Sequence, residues 1–131
     1  MSALVAAGAV EIALGALLGF PYSLVVDRSD RGDAVLSRLG VRHPHRLRQL
    51  HLDLIIMGAL LMVAGTALPQ LPAPAAWAIG VGGWTNALLF WPLMVDEAVQ
   101  RRSWFRGATA VSFLAVAGGW VAAAAHALSR L

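Results

Sequence analysis

Apolar residues in this chain come in four long runs, at about residues 3–26, 49–68, 75–95 and 107–128. Each is close to the roughly 20 residues that a helix needs to cross the hydrocarbon core of a bilayer. The runs are too long for strands and do not alternate strictly between apolar and polar positions, so they predict helices. A helix also satisfies its own backbone groups where no water can do so. The expected fold class is therefore all-α: an integral membrane protein whose residues 1–131 form one four-helix transmembrane bundle.

The polar stretches between the runs set the orientation. The first loop, about residues 27–48, holds Arg28, Arg31, Arg38, Arg42, Arg46 and Arg48. Within it "DAVLSRLG" predicts a short interfacial helix. The loop at about 96–106 holds Arg101, Arg102 and Arg106, whereas "PQLPAPA" on the opposite side has no basic residue. The N-terminal tail has none and the C-terminal tail has Arg130. Nine arginines against one place both arginine-rich loops in the cytoplasm and both termini outside. The expected location is a bacterial inner membrane. The first run lacks a basic leader and a small-x-small cleavage site, so it reads as a retained span.

Composition narrows the classes further. The chain is 59% apolar and 13% charged, with a mean hydropathy of +0.70, too apolar for a soluble domain of 131 residues. A pI near 11.1 could suggest nucleic acid. The basic residues are confined to loops, however, and form no stripe interleaved with stacking aromatics, so no nucleic-acid partner is expected. The absence of cysteine excludes disulfides, thiolate ligands and covalently attached c-type haem. Glycines mark where helices can approach closely: Gly8, Gly15 and Gly19 in the first run, Gly80, Gly82 and Gly83 in the third, Gly118 and Gly119 in the fourth. Gly15 and Gly19 form a G-x-x-x-G pair. Four short helices enclose little volume, so a sizeable ligand fits more easily between subunits of a homo-oligomer.

Few polar groups enter the spans, and such residues default to function. His51 sits just inside the second run. A neutral imidazole is the commonest metal ligand and a good proton shuttle, or it can simply bond a carbonyl at the interface. Asp53 is about 200° round the helix from His51, so the two do not form a ligand pair on one face. Asp53 could pair with Arg46 or Arg48. Asn86, near the middle of the third run, reads either as helix glue or as a substrate-orienting amide, with Gly82 one turn earlier leaving room beside it. Trp77, Trp84 and Trp91 recur every seven residues along one stripe. Trp77 and Trp91 suit the membrane interfaces, while Trp84 is deep enough to wall a pocket. Pro92 is expected to bend or end the third span. Glu11 is expected to face the bundle interior or a water-filled cavity. His43 and His45, flanking Pro44, read as a weak metal site or a solvated loop.

The stretch "HPHRLRQLHLDLIIMG" resembles the membrane-embedded family of hydroxylaminobenzene mutase and styrene oxide isomerase. In that family a proline precedes a histidine by seven residues, and the histidine begins a His-Leu-Glu run followed by an Asn-Gly pair. Here Pro44 precedes His51, Asp53 takes the glutamate place, and Gly58 is kept. The family's later pattern is a tyrosine-glycine pair, an aromatic, a small residue and an asparagine. "VGGWTN" fits that frame with Trp84 and Asn86. The glycine-punctuated first span, "ALGALLGFPY", is also similar. The resemblance spans most of the chain, but its specific part covers about 30 residues.

The resemblance implies a trimer with haem b between subunits and His51 as axial ligand to iron, close to Gly58. Ferric iron would act as a Lewis acid on the oxygen of a small hydrophobic aromatic substrate. An epoxide would become an aldehyde, or an aryl hydroxylamine an aminophenol, without external reductant. Asn86 would orient or polarise the substrate, Asp53 would serve as a supporting carboxylate, and Trp84 would wall the pocket. Two positions depart from the family: its asparagine is Met57 here and its tyrosine is Val81, so two polar groups are replaced by apolar ones. Two other readings stay open. One is a small proton-coupled transporter that uses Glu11; the other is a non-catalytic haem-binding or scaffold subunit.

Overall fold

A computed structural model describes residues 2–27 and 29–130. The described residues are helical with short connections and contain no strand. Four helical stretches are long and apolar enough to cross a membrane: Ala3–Asp27, Pro44–Ala67, Ala73–Val95 and Ser103–Leu128. We label the helices α1 (Ala3–Asp27), α2 (Asp30–Arg38), α3 (Pro44–Ala67), α4 (Ala73–Leu88), α5 (Phe90–Val95) and α6 (Ser103–Leu128). A 3-10 turn, Glu97–Arg101, lies between α5 and α6.

The short interfacial helix expected near residues 33–40 is α2, and local chemistry explains its start three residues earlier. Ser29 caps it by accepting from the Gly32 amide at 3.1 Å, and Asp30 and Asp33 suit the positive end of the helix dipole. Leu36 anchors α2 in a buried cluster with Val41, Leu47 and Met94. Gly40 then turns the chain at φ 80°, a left-handed conformation that suits a residue without Cβ. Helix α3 begins at Pro44 rather than at Gln49, because proline at a first helical position gives up no hydrogen bond. His51 therefore lies about two turns into its helix. The third span is interrupted at Leu89. Pro92 lacks an N–H, and its ring crowds the carbonyl four residues earlier, at Leu88, where α4 ends.

The spans pack in a row, α1 on α3, α3 on α4 and α4 on α6, with only light contact between α1 and α4. The α1–α3 seam is the closest. A Cβ added at Gly58 would lie 2.7 Å from the Gly8 carbonyl oxygen and 2.8 Å from Ile12 Cγ1. Gly15 packs on Leu54 and Ile55 in the same seam. Backbones that approach this closely gain dispersion along their whole length, the principal attraction available in lipid. The α4–α6 seam repeats the device, with Gly82 against Val116 and Gly119 against Ile79.

The two ends of the bundle along its helix axes are chemically distinct. At one end Ser2 donates to the Gly65 carbonyl at 3.2 Å, and Arg130 bonds Gln70. At the other, the amides of Arg42 and His43 both donate to the Met94 carbonyl at 3.0 Å. Both terminal regions thus lie opposite the two arginine-bearing connections.

Candidate functional site

His51 is held by α1. Its Nδ1 lies 2.7 Å from the Gly15 carbonyl oxygen. A carbonyl can only accept, so Nδ1 carries a proton, and in the neutral ring the lone pair is then on Nε2. No described side chain or backbone group bonds Nε2. Tyr22 stacks on the imidazole with ring centroids 5.4 Å apart and planes 24° apart. A Cβ at Gly19 would sit 3.5 Å from His51 Cε1. Gly15, Gly19 and Tyr22 recur at i, i+4 and i+7, so one stripe of α1 cradles the ring. The G-x-x-x-G pair thus serves this histidine as well as the helix seam. Tyr22 carried no signal in the sequence, because only the packing of α1 on α3 brings it to His51.

On another face of α3, Asp53 accepts from the Asn86 amide nitrogen at 3.2 Å. This bond replaces the arginine partner that sequence proximity suggested. Arg46 instead donates from Nε to Glu97 at 2.7 Å and from Nη1 to Gln49 at 2.8 Å. The space expected beside Asn86 at Gly82 is taken by Val116 of α6, whose nearest atoms lie 2.8 Å from a Cβ built there. Met57 stands one turn beyond Asp53, close to Gly83. Gly58 lies in the α1–α3 seam and is buried.

Trp77, Val81 and Trp84 line an apolar groove between the start of α1 and α4, about 470 Å³ in volume. Leu4, Ala7 and Gly80 complete much of its wall. That volume lies within the ordinary range for small-molecule sites. Trp84 is thus one of the side chains that line this groove. Val81 is 51% exposed and turns outward with the groove, away from Asn86, which is buried. Within one chain His51, Asn86 and Val81 thus face three directions.

Glu11 lies in the interior at 0% exposure, and neither carboxyl oxygen has a hydrogen-bond partner among the described residues. Sequence reading also missed the polar contact between α4 and α6. Thr85 donates to Ser112 Oγ at 2.9 Å, and Ser112 lies 3.2 Å from the Gly82 carbonyl. Both residues look unremarkable in sequence, since a hydroxyl mid-helix usually bonds its own helix.

Where α3 begins, Glu97 gathers three cationic or titratable side chains. Arg46 is joined by His45 Nε2 at 2.9 Å and His43 Nδ1 at 3.8 Å. The Arg46 hydrogen bond, helped by that of His45 and by the charges of Arg46 and His43, holds the Glu97 carboxyl below the usual carboxylate range. The H-P-H sequence is thereby a clasp between the two arginine-bearing connections. Among the described residues no three His, Asp or Glu side chains converge on a metal-sized site. Comparison of the chain with protein-family models, curated proteins and solved structures returned no match.

Proposed function

We propose that this chain is a haem b-dependent isomerase of the membrane interior, acting on small hydrophobic aromatic epoxides or aryl hydroxylamines. The observation that carries the reading is the cradle of His51. Its Nδ1–H is fixed on the Gly15 carbonyl, its ring is clamped by Tyr22, and Nε2 is left with a free lone pair. A backbone carbonyl behind the donor nitrogen fixes the tautomer and raises the basicity of a ligating imidazole. A porphyrin supplies four ligands of its own, so one protein nitrogen suffices to hold it. The donor set present therefore fits haem b.

Bound haem would supply a Lewis-acidic iron for the substrate oxygen. The chain's own residues would do the rest. His51 would hold the group through Nε2. The apolar groove walled by Trp84 and Val81 would admit an aromatic substrate from the bilayer and exclude water. Asn86 and Asp53 would act in concert, since the amide is committed to the carboxylate. Because His51 and the groove face different ways in one chain, the reading requires a homo-oligomer, proposed as a trimer, in which one subunit's histidine meets another subunit's groove. The arginine-bearing end would face the cytoplasm of a bacterial inner membrane, following the excess of arginine there.

Absorption spectroscopy in mild detergent, with His51→Ala alongside, tests the reading. A Soret band in the wild type that is lost or shifted in the variant is expected, with turnover of styrene oxide or phenylhydroxylamine without added reductant. A colourless wild type after expression with ample haem would overturn it. One observation favours a second reading, a haem-binding subunit without turnover: Met57 and Val81 are apolar, and Asn86 is already bonded to Asp53. It predicts the Soret band without product.

A further inference from the structure

Glu11 has no part in the reading above, yet among the described residues it is the one buried ionisable side chain. It is fully buried, and both oxygens lack a donor. Three residues before it is Gly8 and four after it is Gly15, and both press α1 onto the backbone and side chains of α3. The carboxyl is thus sealed by the tightest seam of the fold.

The groups that face it are few. Helix α1 packs on α2, α3 and α4. From α3 come His51, whose Nδ1–H is turned to Gly15, and Asp53, whose carboxylate is bonded to Asn86. Helix α4 carries no titratable side chain, and its Asn86 amide is bonded to Asp53. Helix α2 carries Asp30, Arg31, Asp33 and Arg38. They lie past Asp27, itself about 24 Å along α1 from Glu11 at 1.5 Å per residue. Among the described residues no cation pairs with Glu11. An ionised carboxylate without a donor in hydrocarbon carries a heavy desolvation penalty. A metal cation would need further ligands, and among the described residues no three His, Asp or Glu side chains converge. A proton alone removes the charge without needing a cavity.

We propose that Glu11 is a proton-binding site in the membrane interior, a carboxylic acid sealed in the α1–α3 seam. Its proton keeps the seam neutral and closed. Loss of the proton puts an unpaired charge one turn from Gly15, whose carbonyl holds His51, so proton occupancy and the position of the histidine are linked.

The sequence makes the test direct, because Glu11 and Glu97 are the only two glutamates among the seven acidic residues. The full chain, labelled with carbon-13 at the glutamate carboxyl and placed in phosphatidylcholine liposomes, is followed by solid-state NMR. At neutral pH one carboxylic-acid and one carboxylate resonance are expected. The acid signal should persist in Glu97→Gln and vanish in Glu11→Gln. Should Glu11→Gln fail to assemble, Glu97→Gln alone assigns the signal. Two carboxylate resonances in the wild type at neutral pH would overturn the proposal. As rising pH converts the acid signal, the His51 ring resonances should move with it; a His51 spectrum indifferent to that conversion would refute the linkage.

Discussion

Two alanine substitutions of glycine should shift stability in opposite directions. At Gly58 an added Cβ would stand 2.7 Å from the Gly8 carbonyl oxygen, whereas ordinary contact begins at 3.4 Å. Backbone oxygen cannot swing aside, so α1 and α3 must part by about 0.7 Å at this level. A gap of that size forfeits about a quarter to a half of each contact's dispersion well along the seam. Overpacking of this kind costs about 1–3 kcal/mol, offset by about 1 kcal/mol from the better helix propensity of alanine. A net loss of up to about 2 kcal/mol is expected, which lowers the folding equilibrium constant by up to roughly 30-fold. At Gly118 nothing lies within 4 Å of an added Cβ. There only the propensity term acts, and Gly118→Ala should be neutral or more stable by up to about 1 kcal/mol. Titration from mild detergent into dodecyl sulfate, followed by helical circular dichroism, reads both variants on one scale. If Gly58→Ala proves as stable as Gly118→Ala, the close α1–α3 approach is not what holds the fold.

Other perturbations test the remaining contacts. Asn86→Leu leaves Asp53 without its donor and should destabilise the fold by about 1–3 kcal/mol. A cycle with Asp53→Leu should show the two losses to be coupled, and strict additivity would count against the bond. Ser112 is 2% exposed, so Ser112→Ala should cost about 0.5–1.5 kcal/mol and should loosen α6 before the other spans, as amide exchange would show. The Glu97 clasp should respond to acid. Because Arg46 and the histidines depress the carboxyl below its ordinary 4.5, the contribution of the ionised group is complete above that value. It is lost as the pH falls through the depressed one. Proteolysis of the 96–102 connection should therefore accelerate in acid in the wild type, and a Glu97→Gln variant that kept the same acid response would rule the clasp out.

Much of the architecture is written in one dimension. Four runs of helix-spanning length, free of strict alternation, specify four helices, because hydrocarbon leaves the backbone no other partner. The arginine count puts 28–48 and 101–106 on one side, and the structure groups those connections at one end because the chain must return after each span. Pro92 and Pro44 act locally, so their effects on helix boundaries follow from ring geometry. His51 could be picked out because a histidine in a span is rare. What it touches could not be, since Gly15, Gly19 and Tyr22 lie 29 to 36 residues away and meet it only through the register of α1 on α3. The same register gives Asp53 to Asn86 instead of to the nearer Arg46, fills the space at Gly82 with Val116, and seals Glu11 without a donor. Composition and periodicity act through the solvent, and a single chain encounters that solvent residue by residue. Partner choice depends on where two helix surfaces come to rest against each other, and only the tertiary structure decides that.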